Sequence, residues 1–176
     1  MGEYVPHERL EEVMAGEREH RRKIVLTGGC FDIIHPGHIY LIEVVKGLGD
    51  VLVANVVNDD RIREYKGRGR PLMKEMERVR VVSGMEGVNY STIHPSVKTN
   101  PTIDLAFTLR PDILVQTKLP EEGSMEERRL EELQEMGVEF KLLGRSSYEG
   151  SSGEFLKRIN EFAPRMYGSG RRKAFT

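Results

Sequence analysis

Two histidines three residues apart, His35 and His38, stand at the end of the run Thr27-Gly28-Gly29-Cys30-Phe31-Asp32-Ile33-Ile34-His35-Pro36-Gly37-His38. An apolar segment, Ile39 to Val45, follows and reads as a helix that Pro36 opens. If so, the imidazoles project to one side near the helix N-terminus, where unpaired N–H groups and the positive end of the dipole attract an anion. The glycine pair lets the backbone pass close to a ligand and turn freely. Together these features describe a phosphate cradle, formed by Thr27, Gly28, Gly29, Cys30, Phe31, Asp32 and Gly37, with two hydrogen-bond donors aimed at its occupant. Donors so placed can stabilise the extra negative charge of a pentacoordinate phosphorus without a protein nucleophile. Two plainer readings stay open, a pair of structural histidines and half of a zinc site, since His-x-x-His can also ligate metal. Cys30 has no base partner in the sequence and is given no chemistry of its own, only a backbone place in the cradle. The Gly-x-Gly-x-x-Gly spacing of a dinucleotide site and the Gly-Lys-Ser/Thr of a P-loop are both absent.

The elements that must position this turn can be read from hydrophobic patterning. From Lys23 onward, short apolar runs alternate with helical periodicity, the sequence form of a parallel α/β sheet. Five strands are expected: Lys23–Thr27, Val51–Val57, about Val88–Ile93, Ile113–Gln116 and Val138–Leu143. Helix starts are signalled by Pro36, by Asn100-Pro101 as N-cap and first position, by Ser124 with Glu127 as a capping box, and by Ser151 with Glu154. The last of these opens a helix with Phe155, Leu156, Ile159 and Phe162 at core-facing spacing. The expected fold is α/β, a doubly wound, Rossmann-like sheet of about five parallel strands with helices on both faces and any ligand at the carboxyl edge. Residues 1–22 read as an appended charged helix with a narrow stripe of Leu10, Val13 and Met14, residues 23–162 as the main domain, and 163–176 as a basic, flexible tail. The stripe could serve a homodimer contact or cover the chain's own sheet.

Lys and Arg total 27 against 28 for Asp and Glu, so a net charge of -1 supplies no long-range field for nucleic acid or a membrane surface. Any anion site must be local. One cysteine excludes an internal disulfide framework, and no apolar stretch reaches the length of a signal or spanning helix. A cytoplasmic protein is the resulting expectation.

The segment GGCFDIIHPGH closely resembles the GxFDxxHxGH signature of cytidylyltransferase-like nucleotidyltransferases. The likeness extends over most of Lys23 to Ile159. With VLVANVVNDDR and YKGRGRP it is similar above all to the adenylyltransferase domain of ADP-heptose synthases, and next to glycerol-3-phosphate cytidylyltransferases. The resemblance implies transfer of a nucleoside monophosphate from CTP or ATP to a phosphorylated sugar or polyol, with Mg²⁺ accompanying the triphosphate and pyrophosphate leaving. It implies that His35 and His38 stabilise the transition state, that Lys66 contacts a phosphate, and that Arg78 matches an arginine of the site. By the same resemblance Asp59 is the acid after the second strand, Arg145 reaches the nucleotide, and Ser151 and Ser152 hold the β- and γ-phosphates. Lysine and arginine are the counter-charges a triphosphate needs, and serines at a helix start can donate to it.

The chain departs from that pattern where relatives carry Gly-Gly-Asp-Tyr or Gly-Asp-Asp, here Gln116-Thr117-Lys118-Leu119-Pro120. It also departs at Glu154 and by two extra residues between Arg145 and Glu149. Alternatives at this stage are an adenylyltransferase for a coenzyme precursor such as a flavin or pantetheine phosphate, a non-catalytic nucleotide-binding module, and an interaction module built on the two termini.

Overall fold

The computed structural model describes residues 1–144 and 153–157. Six parallel strands form one sheet in the order β1-β4-β3-β2-β5-β6. In chain order the elements are β1 Glu3–Tyr4, α1 His7–Glu19, β2 Ile24–Gly29, α2 Pro36–Val45, β3 Val51–Val56 and α3 Asp59–Lys66. They continue with α4 Glu75–Ser83, β4 Tyr90–Thr92, α5 Pro101–Leu109, β5 Ile113–Gln116, α6 Met125–Glu135 and β6 Glu139–Leu142. Residues 153–157 are helical.

Five of these strands lie at the expected places, and the Rossmann-like doubly wound architecture follows from why the central ones, β2, β3 and β5, are largely apolar. A parallel sheet is covered on both faces, so alternate side chains of one strand enter two different cores. Ile24, Leu26, Val51, Val53 and Leu114 pack on one side with Leu10 and Met14 of α1, Ile103 and Leu109 of α5, and Leu130 and Leu133 of α6. Val25, Leu52, Ala54, Val56, Ile113 and Val115 pack on the other with Leu41, Ile42 and Val45 of α2 and Val79 and Val82 of α4.

The sixth strand is a correction. Glu3 and Tyr4 pair in register with Tyr90 and Ser91, extending the sheet by two residues too few to leave a periodic pattern. The helix expected near the N-terminus is present, and its stripe faces inward: Leu10 and Met14 are buried in the main core, with Val13 packed against it. Arg18 near its end donates to the carbonyls of Leu109 and Arg110, placing a cation at the C-terminus of α5.

Helix starts follow the capping logic with one adjustment. Asn100 accepts from Thr102 N–H at 3.0 Å ahead of Pro101, and Ser124 accepts from Glu127 N–H at 3.1 Å. The Glu127 carboxylate takes the Gly123 N–H at 2.6 Å instead of closing a box on Ser124. Ser151, and with it the cap expected before Glu154, lies outside the described residues, as do Ile159, Phe162 and the tail.

The strand order fixes where a ligand can sit. From β2 the chain builds outward through β3 and β4, then returns to lay β5 on the other side of β2. Loops after β2 and β5 therefore run to opposite faces and open a crevice at their carboxyl ends. The turn bearing His35 and His38 follows β2, and Gln116 ends β5.

Candidate active site

β2 ends on Gly28 and Gly29, and Gly28 is required for a reason the sequence did not show. A Cβ there would lie 1.9 Å from Thr102 Oγ1, so the first turn of α5 presses directly on the strand. Thr102 is in turn tied to β3, because Asn55 donates to its hydroxyl at 3.1 Å while accepting from the His94 N–H at 3.1 Å. Thr27 is fully buried and donates to Val115 O at 3.1 Å. Its side chain belongs to the β2–β5 seam.

After Gly29 the chain turns through Phe31, which is fully buried at φ 49°. A bulky residue adopts that left-handed conformation only where its surroundings impose it. The Phe31 ring packs 5.1 Å from the His38 ring, centroid to centroid. Asp32, also buried, spends its carboxylate on the protein: it accepts from Leu72 N–H at 2.7 Å and Met73 N–H at 3.0 Å, and pairs with Arg70 at 2.7 Å. Its carboxylate bolts the 70–73 loop to the turn.

His35 is the N-cap residue of α2 in extended conformation, Pro36 and Gly37 open the first turn, and His38 follows. The two imidazoles lie with centroids 3.8 Å apart. His38 Nδ1 accepts the His35 backbone N–H at 3.3 Å. An accepting Nδ1 places the proton of the neutral ring on Nε2, leaving a donor at the far edge. Burial first, then His35 and Lys66, lower the His38 pKa from 6.5 to about 4. Burial and Lys66 lower that of His35 as well. Near neutral pH both rings are uncharged donors, and His35 Nδ1 is buried without a hydrogen bond among the described residues.

Lys66 closes α3, is exposed, and lies near enough to both histidines to repel their protons. Its neighbour Tyr65 places its hydroxyl against Cys30 Sγ, a contact with no signal in the sequence. The spacing predicts a core position for Phe155, yet its ring stacks toward His35 with centroids 6.3 Å apart. The final helix therefore reaches the site.

Arg78 takes a position unlike the expected one. It is the largest fully buried side chain among the described residues, at 0% exposure. Its Nε donates to Met73 O at 3.0 Å, one terminal nitrogen to Cys30 O, and the other to Asp59 at 2.7 Å. Asp59 opens α3, and its backbone N–H is taken by Glu75 at 3.0 Å. The fully buried Arg78 and the partly buried Asp59 together brace α3, α4 and the turn.

Across the crevice, Gln116 carries an unmet donor. Asn100 Oδ1 is occupied by N–H groups of α5, so its amide nitrogen is the atom facing Gln116 Oε1, at 3.4 Å. Gln116 Nε2 is then fixed as a buried donor without a partner among the described residues. Arg145, Ser151 and Ser152 fall outside those residues. Among the described residues no group of three His, Cys, Asp or Glu side chains could hold a metal, so the His35–His38 pair finds no third ligand there. No described helix is long and apolar enough to cross a membrane.

A glycine turn and paired imidazoles at a helix start, beside the crossover of a parallel sheet, agree with what comparison with known proteins finds over residues 26–158. The chain belongs to the cytidylyltransferase-like family. It is 42% identical over 111 residues, 63% of its length, to the bifunctional protein HldE of Desulfatibacillum aliphaticivorans. It spans 22% of the length of that relative. Among solved structures, the lipopolysaccharide core biosynthesis protein of Thermoplasma volcanium superposes with a TM-score of 0.57 at 24% identity, covering 73% of this chain and 99% of that one. The pantoate-beta-alanine ligase of Francisella tularensis, complexed with beta-gamma ATP and beta-alanine, gives 0.58 at 12% identity, covering 94% and 77%. Both likenesses speak to fold alone.

Proposed function

We propose that this chain is a nucleotidyltransferase that moves a nucleoside monophosphate from ATP or CTP to a phosphorylated sugar or polyol, releasing pyrophosphate. The observation that carries the reading is the His35–His38 pair at the start of α2. Two neutral imidazoles, one with its Nε2–H fixed by the bond at Nδ1, stand where the α2 dipole and Lys66 favour an anion. An oxygen of the acceptor phosphate attacks the α-phosphorus as the bond from that phosphorus to the β-bridging oxygen breaks, with pyrophosphate as leaving group. The histidines donate to the non-bridging oxygens of the α-phosphoryl group, and Lys66 offsets charge on the departing phosphates. Positioning, not a covalent intermediate, carries the catalysis.

Mg²⁺ enters this reading with the triphosphate as part of the substrate. Of the carboxylates nearest the turn, Asp32 is held by Arg70 and two N–H groups, and one oxygen of Asp59 by Arg78. The resemblance of GGCFDIIHPGH, VLVANVVNDDR and YKGRGRP to ADP-heptose synthases supports a sugar phosphate over a coenzyme precursor as acceptor. Cytoplasmic residence is part of the same reading.

The test is pyrophosphate release with ATP or CTP, each against heptose 1-phosphate, glycerol 3-phosphate, flavin mononucleotide and phosphopantetheine. Turnover with a sugar or polyol phosphate, lowered about 100-fold or more in His35→Ala and in His38→Ala, is the expected result. Nucleotide binding with no turnover on any acceptor would instead make the chain a binding module.

A further inference from the structure

The peptide between Cys30 and Phe31 is gripped from one side only. Arg78 reaches the Cys30 carbonyl from within the core, with the same guanidinium holding Met73 O and Asp59. The Arg70–Pro71 bond is the one cis peptide among the described residues, so the Cys30–Phe31 peptide is trans. In a trans peptide the carbonyl and the N–H point in opposite directions. Turning the Cys30 oxygen inward onto Arg78 therefore turns the Phe31 N–H outward, away from the arginine. No described residue accepts a hydrogen bond from that N–H. Phe31 is meanwhile kept in its left-handed conformation by a ring packed beside His38.

We propose that Arg78 is a positioning residue: by fixing the Cys30 carbonyl it sets the aim of the Phe31 backbone N–H, a member of the phosphate cradle expected from the sequence, at an oxygen of the bound triphosphate. The inference rests on the nucleotidyl-transfer reading of the site. A buried arginine paired with an acid can serve the fold alone, and apolar residues can often replace such a pair. Here the guanidinium fork also joins Cys30 in the turn, Met73 in the following loop and Asp59 at the start of α3. A lysine, with one compact ammonium on a flexible stem, cannot reproduce that fork. Left-handed Phe31 is the strained part of the arrangement, and strain of this kind gathers where donors are pre-set for a ligand.

The test is a titration of the ¹⁵N-labelled protein with tripolyphosphate and with MgATP or MgCTP, alongside kinetics of Arg78→Lys. In the wild type the Phe31 amide proton is expected to shift downfield on binding. In Arg78→Lys that shift shrinks and kcat/KM for the triphosphate falls about 100-fold, the scale of losing one preorganised donor, while KM for the acceptor is unchanged. A purely structural role would lower Tm yet leave the kinetic constants of the folded variant intact, which overturns the proposal. So does a Phe31 amide that stays still while amides of the α2 first turn move, a measurement that needs no variant to fold. If the wild type binds no triphosphate and releases no pyrophosphate, the transferase reading itself falls, and this inference with it.

Discussion

His38 receives the backbone N–H of His35 on Nδ1 at 3.3 Å, so the backbone that starts α2 also chooses the tautomer of the ring one turn later. Removing that ring removes a donor already aimed at the site. His38→Ala is expected to lower kcat by about 100-fold to 1000-fold. His38→Gln, which can offer both an acceptor and a donor, should lose less, and a pyrophosphate-release assay on the two variants checks the order.

The depressed pKa of His38, about 4 against 6.5 for a free imidazole, makes stability depend on pH with a definite sign. Between those values the unfolded chain binds the proton and the folded one does not, so protonation favours unfolding. Stability should therefore fall as pH drops from about 6.5 toward 4. His38→Gln removes part of that slope, measurable as urea midpoints at pH 7.5 and pH 5. An equal loss in both proteins would show that His38 contributes nothing to it.

Gly28→Ala places a methyl group 1.9 Å from Thr102 Oγ1, a clash between two framework elements with little room to give. The expected loss is about 1–3 kcal/mol or more, as for other overpacked cores. Thr102→Ala in the same chain should recover part of it, read by thermal melts of the single and double variants.

Asp32→Ala strips the acceptor from Leu72 and Met73 and the partner from Arg70 at once. Loss of a buried, multiply bonded carboxylate is expected to cost roughly 3 kcal/mol. Hydrogen exchange should show the amides of Leu72 and Met73 losing protection before those of β2.

Gln116→Leu keeps the volume at the end of β5 and deletes the unmet Nε2 donor. If a substrate atom uses that donor, KM for one substrate should rise roughly tenfold while Tm holds or increases, because a buried unsatisfied group has been removed. Unchanged KM values for both substrates would assign Gln116 to the fold.

Much of this molecule was legible beforehand because its signals are local. Strand β5 is buried on both faces and so apolar up to its last residue, Gln116, and Asn100-Pro101 announces its helix through the chemistry of one turn. Glu3–Tyr4 left no such trace, since a two-residue edge strand is defined by its partner, β4. The histidine pair was legible as a spacing; the contacts of Tyr65 with Cys30 and of Phe155 toward His35 were not, because each joins segments remote in sequence.

Residue types and spacing determined by themselves that a glycine turn would lead into a helix carrying two imidazoles on one side, since backbone freedom and helical period are properties of a short segment. Only the tertiary structure decided what the other polar residues of the motif do. Whether Asp32, Arg78 or Thr27 faces a ligand or the protein depends on which loop arrives opposite it. In each case a partner far along the chain, Leu72, Cys30 or Val115, reached the group first, and a desolvated charge or hydroxyl stays with the partner that satisfies it.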